Sequence, residues 1–177
     1  MSPIPSTATA ADTSTTTQVY RIFIRATPQA IWDAITKKEW TQRFGYGTLD
    51  EYELRPGGKF RGQPNEGMIA MGMTGTVVDG EDIESDPPRK LVMTWRMAID
   101  PKMFAEGFTR LTYEIEEGRG GVSRLSVIHD LSGTPGHAVM VAGTKQGPGE
   151  GGGWLWILSD LKSLLESGQP MSTQKGW

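Results

Sequence analysis

Apolar and polar positions alternate with period two through the middle of this chain, and a helical period replaces that alternation near its two ends. Val19–Arg25 reads as a first strand, rich in β-branched and aromatic residues. After the helical break come candidate strands at Leu49–Leu54, Gly58–Gly62, Thr74–Glu84, Leu91–Ile99, Phe108–Glu116 and Val122–Leu131. Turn residues separate them: Arg55-Pro-Gly-Gly58 and Gly118-Arg-Gly-Gly121 read as hairpins, and Asp86-Pro-Pro-Arg-Lys90 as a stiff turn that excludes helix. Leu91, Met93, Trp95 and Met97 share one face; so do Leu111, Tyr113 and Ile115, and likewise Leu125, Val127, His129 and Leu131. The other face holds Thr94, Arg96, Arg110, Thr112, Glu114, Arg124 and Asp130, the pattern of an antiparallel sheet covered on one side only.

Two helical stretches flank the strands. Thr27-Pro28 supplies an N-cap and a proline at the first helical position, with Ile31, Trp32 and Ile35 on one face. Thr36-Lys-Lys-Glu39 matches a capping box and predicts a second short helix carrying Trp40, with Phe44 just beyond. At the other end Trp154, Ile157, Leu158, Leu161 and Leu165 fall at i, i+3, i+4, i+7 and i+11, one continuous apolar face. The predicted class is therefore α+β: a curved antiparallel sheet of about seven strands gripping a long C-terminal helix, with two short helices after strand 1. Residues 1–17, rich in Ser, Thr, Ala and Pro, read as a disordered arm; 18–168 as the domain; 169–177 as a flexible tail.

Composition narrows the function. A net charge of −3 argues against nucleic acid as the main partner, since phosphate binding needs clustered Lys and Arg. Cysteine is absent, which excludes a thiol nucleophile, a disulfide frame and Cys-ligated metal. The N-terminal segment has neither the basic start nor the apolar run of a signal peptide, and no stretch suits a membrane span, so a cytoplasmic protein is expected.

Five motifs in order resemble a known group: Pro28-x-x-Ile-Trp32-x-Ala-Ile, Arg55-Pro-Gly-Gly58, Gly80-x-x-Ile-x-x-Asp86-Pro-Pro-Arg-Lys-Leu91-Val-x-Thr-Trp95, Arg124-Leu-x-Val-x-His129, and Gly153-Trp154 with Leu161-Lys and Leu165-Glu. Together, over about residues 19–168, they resemble the SRPBCC (START-like, helix-grip) superfamily, in the branch related to the activator of the heat-shock-protein-ninety ATPase. The resemblance implies a sheet wrapped around the last helix with a hydrophobic cavity between them. It implies little about activity, because one scaffold hosts unrelated functions. In that branch the position of Asp82 is usually aliphatic. Either Asp82 turns a carboxylate inward, or a register shift turns Ile83 inward in its place, and the second is the favoured reading.

Lining candidates follow from the faces. The sheet offers Met93, Trp95, Met97, Leu111, Tyr113, Val127 and His129; the last helix offers Trp154, Ile157, Leu158 and Leu161. Trp32, Trp40 and Phe44 come from the short helices, and Met71 and Met73 are adaptable filler. His129 on an apolar strand face is most often a satisfied structural residue; the functional alternative is a polar anchor or proton carrier, with Asp82 and Tyr113 as weaker catalytic candidates. His137, in a Gly/Pro-rich stretch, reads as a loop residue. The acidic run Asp79, Glu81, Asp82, Glu84 and Asp86 alternates across a strand and does not converge on a metal; no metal and no cofactor is expected. Gly147-Pro-Gly149-Glu-Gly151-Gly152 formally matches a dinucleotide loop but lacks the strand and acid that must follow. With Gly153 it reads instead as a mobile gate.

These observations carry three functional readings. The first is a protein binding a small hydrophobic or aromatic molecule between sheet and helix. The second is a polyketide cyclase-like enzyme, or a resistance protein sequestering a natural product. The third is co-chaperone or protein-interaction work, for which no second chaperone-binding domain and no long exposed stripe is visible. A homodimer is left open.

Overall fold

A computed structural model describes residues 16–144 and 151–175. Its elements run β1 (Thr17–Ile24), α1 (Pro28–Thr36), α2 (Lys38–Thr41), β2 (Leu49–Tyr52), β3 (Lys59–Gln63), α3 (Glu66–Ala70), β4 (Val78–Asp86), β5 (Lys90–Met97), α4 (Pro101–Glu106), β6 (Thr109–Glu117), β7 (Ser123–Asp130), α5 (Pro135–Ala142) and α6 (Gly153–Ser167). The seven strands form one curved antiparallel sheet in the order β1-β7-β6-β5-β4-β3-β2. Antiparallel pairings link β2 through β7 in sequence, and β1 closes the other side on β7, from Thr17 opposite Asp130 to Ile24 opposite Ser123.

The alternation places the faces as expected. Leu91, Met93, Leu111, Ile115, Leu125 and Val127 are buried against Trp154, Leu158, Leu161 and Leu164 of α6 and against Ile31, Trp32 and Ile35 of α1. The α6 stripe is rotated slightly from the expected one, because Leu164 lies in the core where Leu165 only packs against it. At the start of α1 the Thr27 hydroxyl accepts from the Ala30 amide at 3.1 Å, with Pro28 at the first position.

Other expectations are corrected. Thr36 does not open a capping box. It ends α1 and donates its hydroxyl to the Trp32 carbonyl at 2.7 Å, so Lys37 heads α2 without a side-chain cap. Three further helices appear where none is expected. Asn65 caps α3 by accepting from the Met68 amide at 2.9 Å, and Asp100 caps α4 by accepting from Lys102 and Met103. Thr134-Pro135 heads α5, which holds His137 buried where a loop was expected. No helix among the described residues is long and apolar enough to cross a membrane.

Along β4 the inward positions are Val78, Gly80 and Asp82. Gly80 is fixed by close approach: a Cβ there would stand 1.8 Å from the Thr94 carbonyl oxygen on β5. Gly80→Ala is therefore expected to force the two strands apart and lower stability by about 1–3 kcal/mol or more. Urea denaturation reads this directly, and an unchanged midpoint would show that the strands part freely at that point.

Candidate functional site

The candidate site lies on the concave face of the sheet, where it packs against α6 and the α1–α2 corner. Burial divides the residues that the sequence proposes for it. Trp32, Phe44, Met93, Leu111, Val127, His129, Trp154, Leu158 and Leu161 are buried, while Trp40, Trp95, Met97, Tyr113 and Ile157 pack on the core and keep some accessible surface. Met71 is a correction: it ends the short α3, which buries none of its residues, and is 73% exposed. Met73 is half-buried. Gly147 and Gly149 lie outside the described residues. At the head of α6, Gly153 approaches α5 so closely that a Cβ would meet the Val141 carbonyl oxygen at 2.2 Å, and its amide donates to the Tyr46 hydroxyl at 3.2 Å. Gly151 packs beside the same hydroxyl, and Gly152 abuts Trp156.

His129 has both ring nitrogens engaged. The Trp154 indole Nε1–H donates to Nδ1 at 3.1 Å, so the ring proton resides on Nε2, which donates to the Thr109 hydroxyl at 2.8 Å. Thr109 in turn donates to the Trp95 carbonyl at 2.7 Å. Burial, and secondarily the nearby His137, push the His129 pKa down to about 3. The ring is neutral and saturated, and ties α6 to the sheet. His137 carries the opposite tautomer: Nε2 accepts from the Met97 amide at 3.0 Å, so Nδ1–H donates to Glu106 at 2.7 Å. The Trp95 indole stands edge-on to both imidazoles, 5.4 Å from His129 and 5.8 Å from His137.

The acids on the inner face are less well satisfied. Asp82 is 4% exposed and Ile83 is 37% exposed, the reverse of the favoured reading. The register does shift, but after Asp82: a bulge between Asp82 and Glu84 makes Ile83 the extra residue and turns it to solvent. Asp82 thus stays in phase with Val78 and Gly80, opposite Met93. Neither of its carboxylate oxygens has a hydrogen-bond partner among the described residues.

Asp50 is absent from the residues that the sequence proposes for the site. It sits on edge strand β2 opposite Gly62, sharing the inward face with Tyr52, whose ring packs 4.6 Å from Phe60. Its Oδ1 is buried without a partner. Gly62 leaves it room, since a Cβ there would lie 2.9 Å from that oxygen. Burial raises the Asp50 pKa to about 7, partly offset by the Thr48 hydroxyl. Tyr52 and Tyr113 are held well above the ordinary phenol value, first by burial and then by the Asp50 charge. Tyr113 also meets Trp154 edge-on at 6.0 Å. One carboxyl and two neutral phenols thus gather on an otherwise apolar wall. The sequence signal for it is the alternation of Asp50 with Glu51 and Tyr52, which on a four-residue strand is too short to fix the side that faces inward.

The profile of the Activator of Hsp90 ATPase homolog 1-like protein family matches residues 25–166. Among curated protein sequences none matches at a significant level. Three solved structures illustrate the likeness. An HSP90 activator from Plasmodium falciparum is 20% identical, covering 66% of this chain and 73% of its own, with a TM-score of 0.51. The solution structure of CalU16 from Micromonospora echinospora is 20% identical over 89% of this chain and 69% of its own, at 0.61. DynU16, from the dynemicin biosynthetic locus, is 21% identical over 88% of this chain and 49% of its own, also at 0.61. Such identities speak to the shared fold.

The buried acid gives a testable sign. Asp50 has a folded pKa of about 7, above its ordinary 3.8, so its ionised form weakens the fold as pH rises through that interval. Replacing it by the neutral Asp50→Asn should stabilise the protein relative to wild type more at pH 8 than at pH 5, at up to about 1.4 kcal/mol per pH unit within the interval. Urea melts of both proteins at the two pH values measure this; equal differences would mean that Asp50 is solvated.

Proposed function

We propose that this chain, which belongs to the Activator of Hsp90 ATPase homolog 1-like family, binds a small hydrophobic or aromatic molecule between the concave sheet and α6. The observation that supports this reading is the set of buried oxygens with no protein partner among the described residues: Asp50 Oδ1 and both oxygens of Asp82. An unpaired buried acceptor costs on the order of 1–3 kcal/mol, more when charged, and a ligand bearing hydrogen-bond donors recovers it. Around those acceptors the wall is aromatic, with Tyr52, Phe60, Trp95, Tyr113 and Trp154, which suits an apolar body with a few polar points. DynU16, of like fold, comes from a biosynthetic locus, and a natural product held for sequestration fits the same description.

Native mass spectrometry of protein purified from its own host is expected to carry a small molecule through purification. A ligand at a hundredfold excess over its Kd should stabilise the fold by about 2.7 kcal/mol in thermal unfolding. Absence of any co-purified molecule, together with no melting shift from a panel of apolar metabolites, would rule out this reading.

A second reading, proton-transfer chemistry of the polyketide cyclase kind, is favoured by one arrangement: the unpartnered Asp50 Oδ1 is buried beside Tyr52, and burial raises the Asp50 pKa to about 7. In that case Asp50, rather than the saturated His129, is the acid–base group. Turnover of polyketide-like substrates should then fall at least about 100-fold in Asp50→Asn. Equal rates in variant and wild type would remove Asp50 from any chemistry.

A further inference from the structure

Cations and acids are distributed unevenly between the two faces of this sheet. On the outer face four ion pairs cross between strands, Arg96 with Asp79 at 2.8 Å, Lys90 with Glu84 at 3.1 Å, Lys59 with Glu81 and Arg124 with Glu116, and Lys38 of α2 reaches Glu51 of β2 at 2.9 Å. On the inner face, among the described residues, no Lys or Arg is buried. The acids Asp50 and Asp82 are nevertheless there, and three of their four carboxylate oxygens are buried with no donor among the described residues. Asp160, itself fully buried, is by contrast fully used, accepting from the amides of Gly45 and Met171.

Two carboxyl groups with no hydrogen-bond donor on their buried oxygens among the described residues, on a wall of aromatic rings, select by charge. A carboxylate that has lost its water is best compensated by an ion pair, and ring faces attract cations a second time. An anion placed there meets repulsion from both. Resting on the reading that the interior binds a small molecule, we propose that its ligand is a hydrophobic organic cation, an amine or protonated nitrogen heterocycle, whose N–H pairs with Asp50 between Tyr52 and Tyr113. Asp82, on β4 four residues beyond the Val78 that lines up with Asp50 through Gly62, presents a second unpartnered carboxyl on the same face of the sheet. Gly62 belongs to this arrangement, because any side chain there would fill the space in front of Asp50 Oδ1.

Isothermal titration with matched triads tests the charge rule: an alkyl amine, its alcohol and its carboxylate, each carried through a methylene on naphthalene, on a decyl chain and on a fused tetracycle, so that the amine is protonated at pH 8. At pH 8 the amine of any triad that binds should exceed its alcohol by at least tenfold, and the carboxylate should be weakest. In Asp50→Asn the amine should fall to the level of the alcohol, whose own affinity should barely move. Wild-type protein gives an independent arm should that variant fold poorly. Below about pH 7 amine affinity should decline by about tenfold per unit, since binding must first drive the proton from Asp50. Tyr52 and Tyr113, the titratable groups facing it, stay neutral throughout that range. Alcohol binding should show no such slope.

If an alcohol equals or beats its amine in a triad that binds, the cation proposal is overturned while interior binding stands. The cation proposal falls equally if the amine preference survives unchanged in both Asp50→Asn and Asp82→Asn. If no member of any triad binds, both are overturned.

Discussion

The indole of Trp154 donates to Nδ1 of His129, and much of the architecture hangs on that contact. It brings the head of α6 down onto β7 and selects the tautomer whose other nitrogen must then donate. The Thr109 hydroxyl receives that proton and passes its own to the Trp95 carbonyl, so the bond crosses from helix to three adjacent strands without leaving a polar atom unmatched. A sheet this curved would otherwise meet the helix only through non-directional apolar contact. Directional bonding at one end fixes where the head of α6 meets the concave face.

The second histidine repeats the logic with the opposite tautomer. His137 takes the Met97 amide on Nε2 and gives its Nδ1 proton to Glu106, which also accepts from the amides of Gly136 and His137. One carboxylate thereby closes the start of α5 against the end of α4. Trp95 meets both imidazoles edge-on, so α5 touches that indole directly through His137, while α4 and α6 reach it through Glu106 on His137 and Trp154 on His129.

Much of this is legible in the residues. Period-two alternation places Met93, Leu111, Val127 and His129 on the inner face, and the spacing from Trp154 to Leu161 gives α6, because burial on one face imposes a period that composition alone cannot hide. Thr27-Pro28 announces α1. Asp100-Pro101 and Thr134-Pro135 carry the same kind of signal, yet the α4 and α5 they open stay hidden, since helices of six and eight residues show too little period to separate from turns. The inner acids are harder. Asp82 depends on whether a bulge falls before or after it, a one-residue choice decided by pairing with β5. Asp50 depends on which side of an edge strand faces inward, and a four-residue strand barely states its phase.

Asp160 has a consequence for what counts as the folded unit. Its two oxygens are divided between the Gly45 amide, at the corner beside Phe44, and the Met171 amide, beyond the end of α6. The chain past Gly168 is thus fastened to the same carboxylate that holds the rim of the interior, and Arg43 and Lys175 strengthen the seam through the carbonyls of Gly168 and Arg43. Counted by shared anchors rather than by helices and strands, the rim and the exit segment are one piece of structure. Anything that grips the last residues has a hand on the corner of the interior.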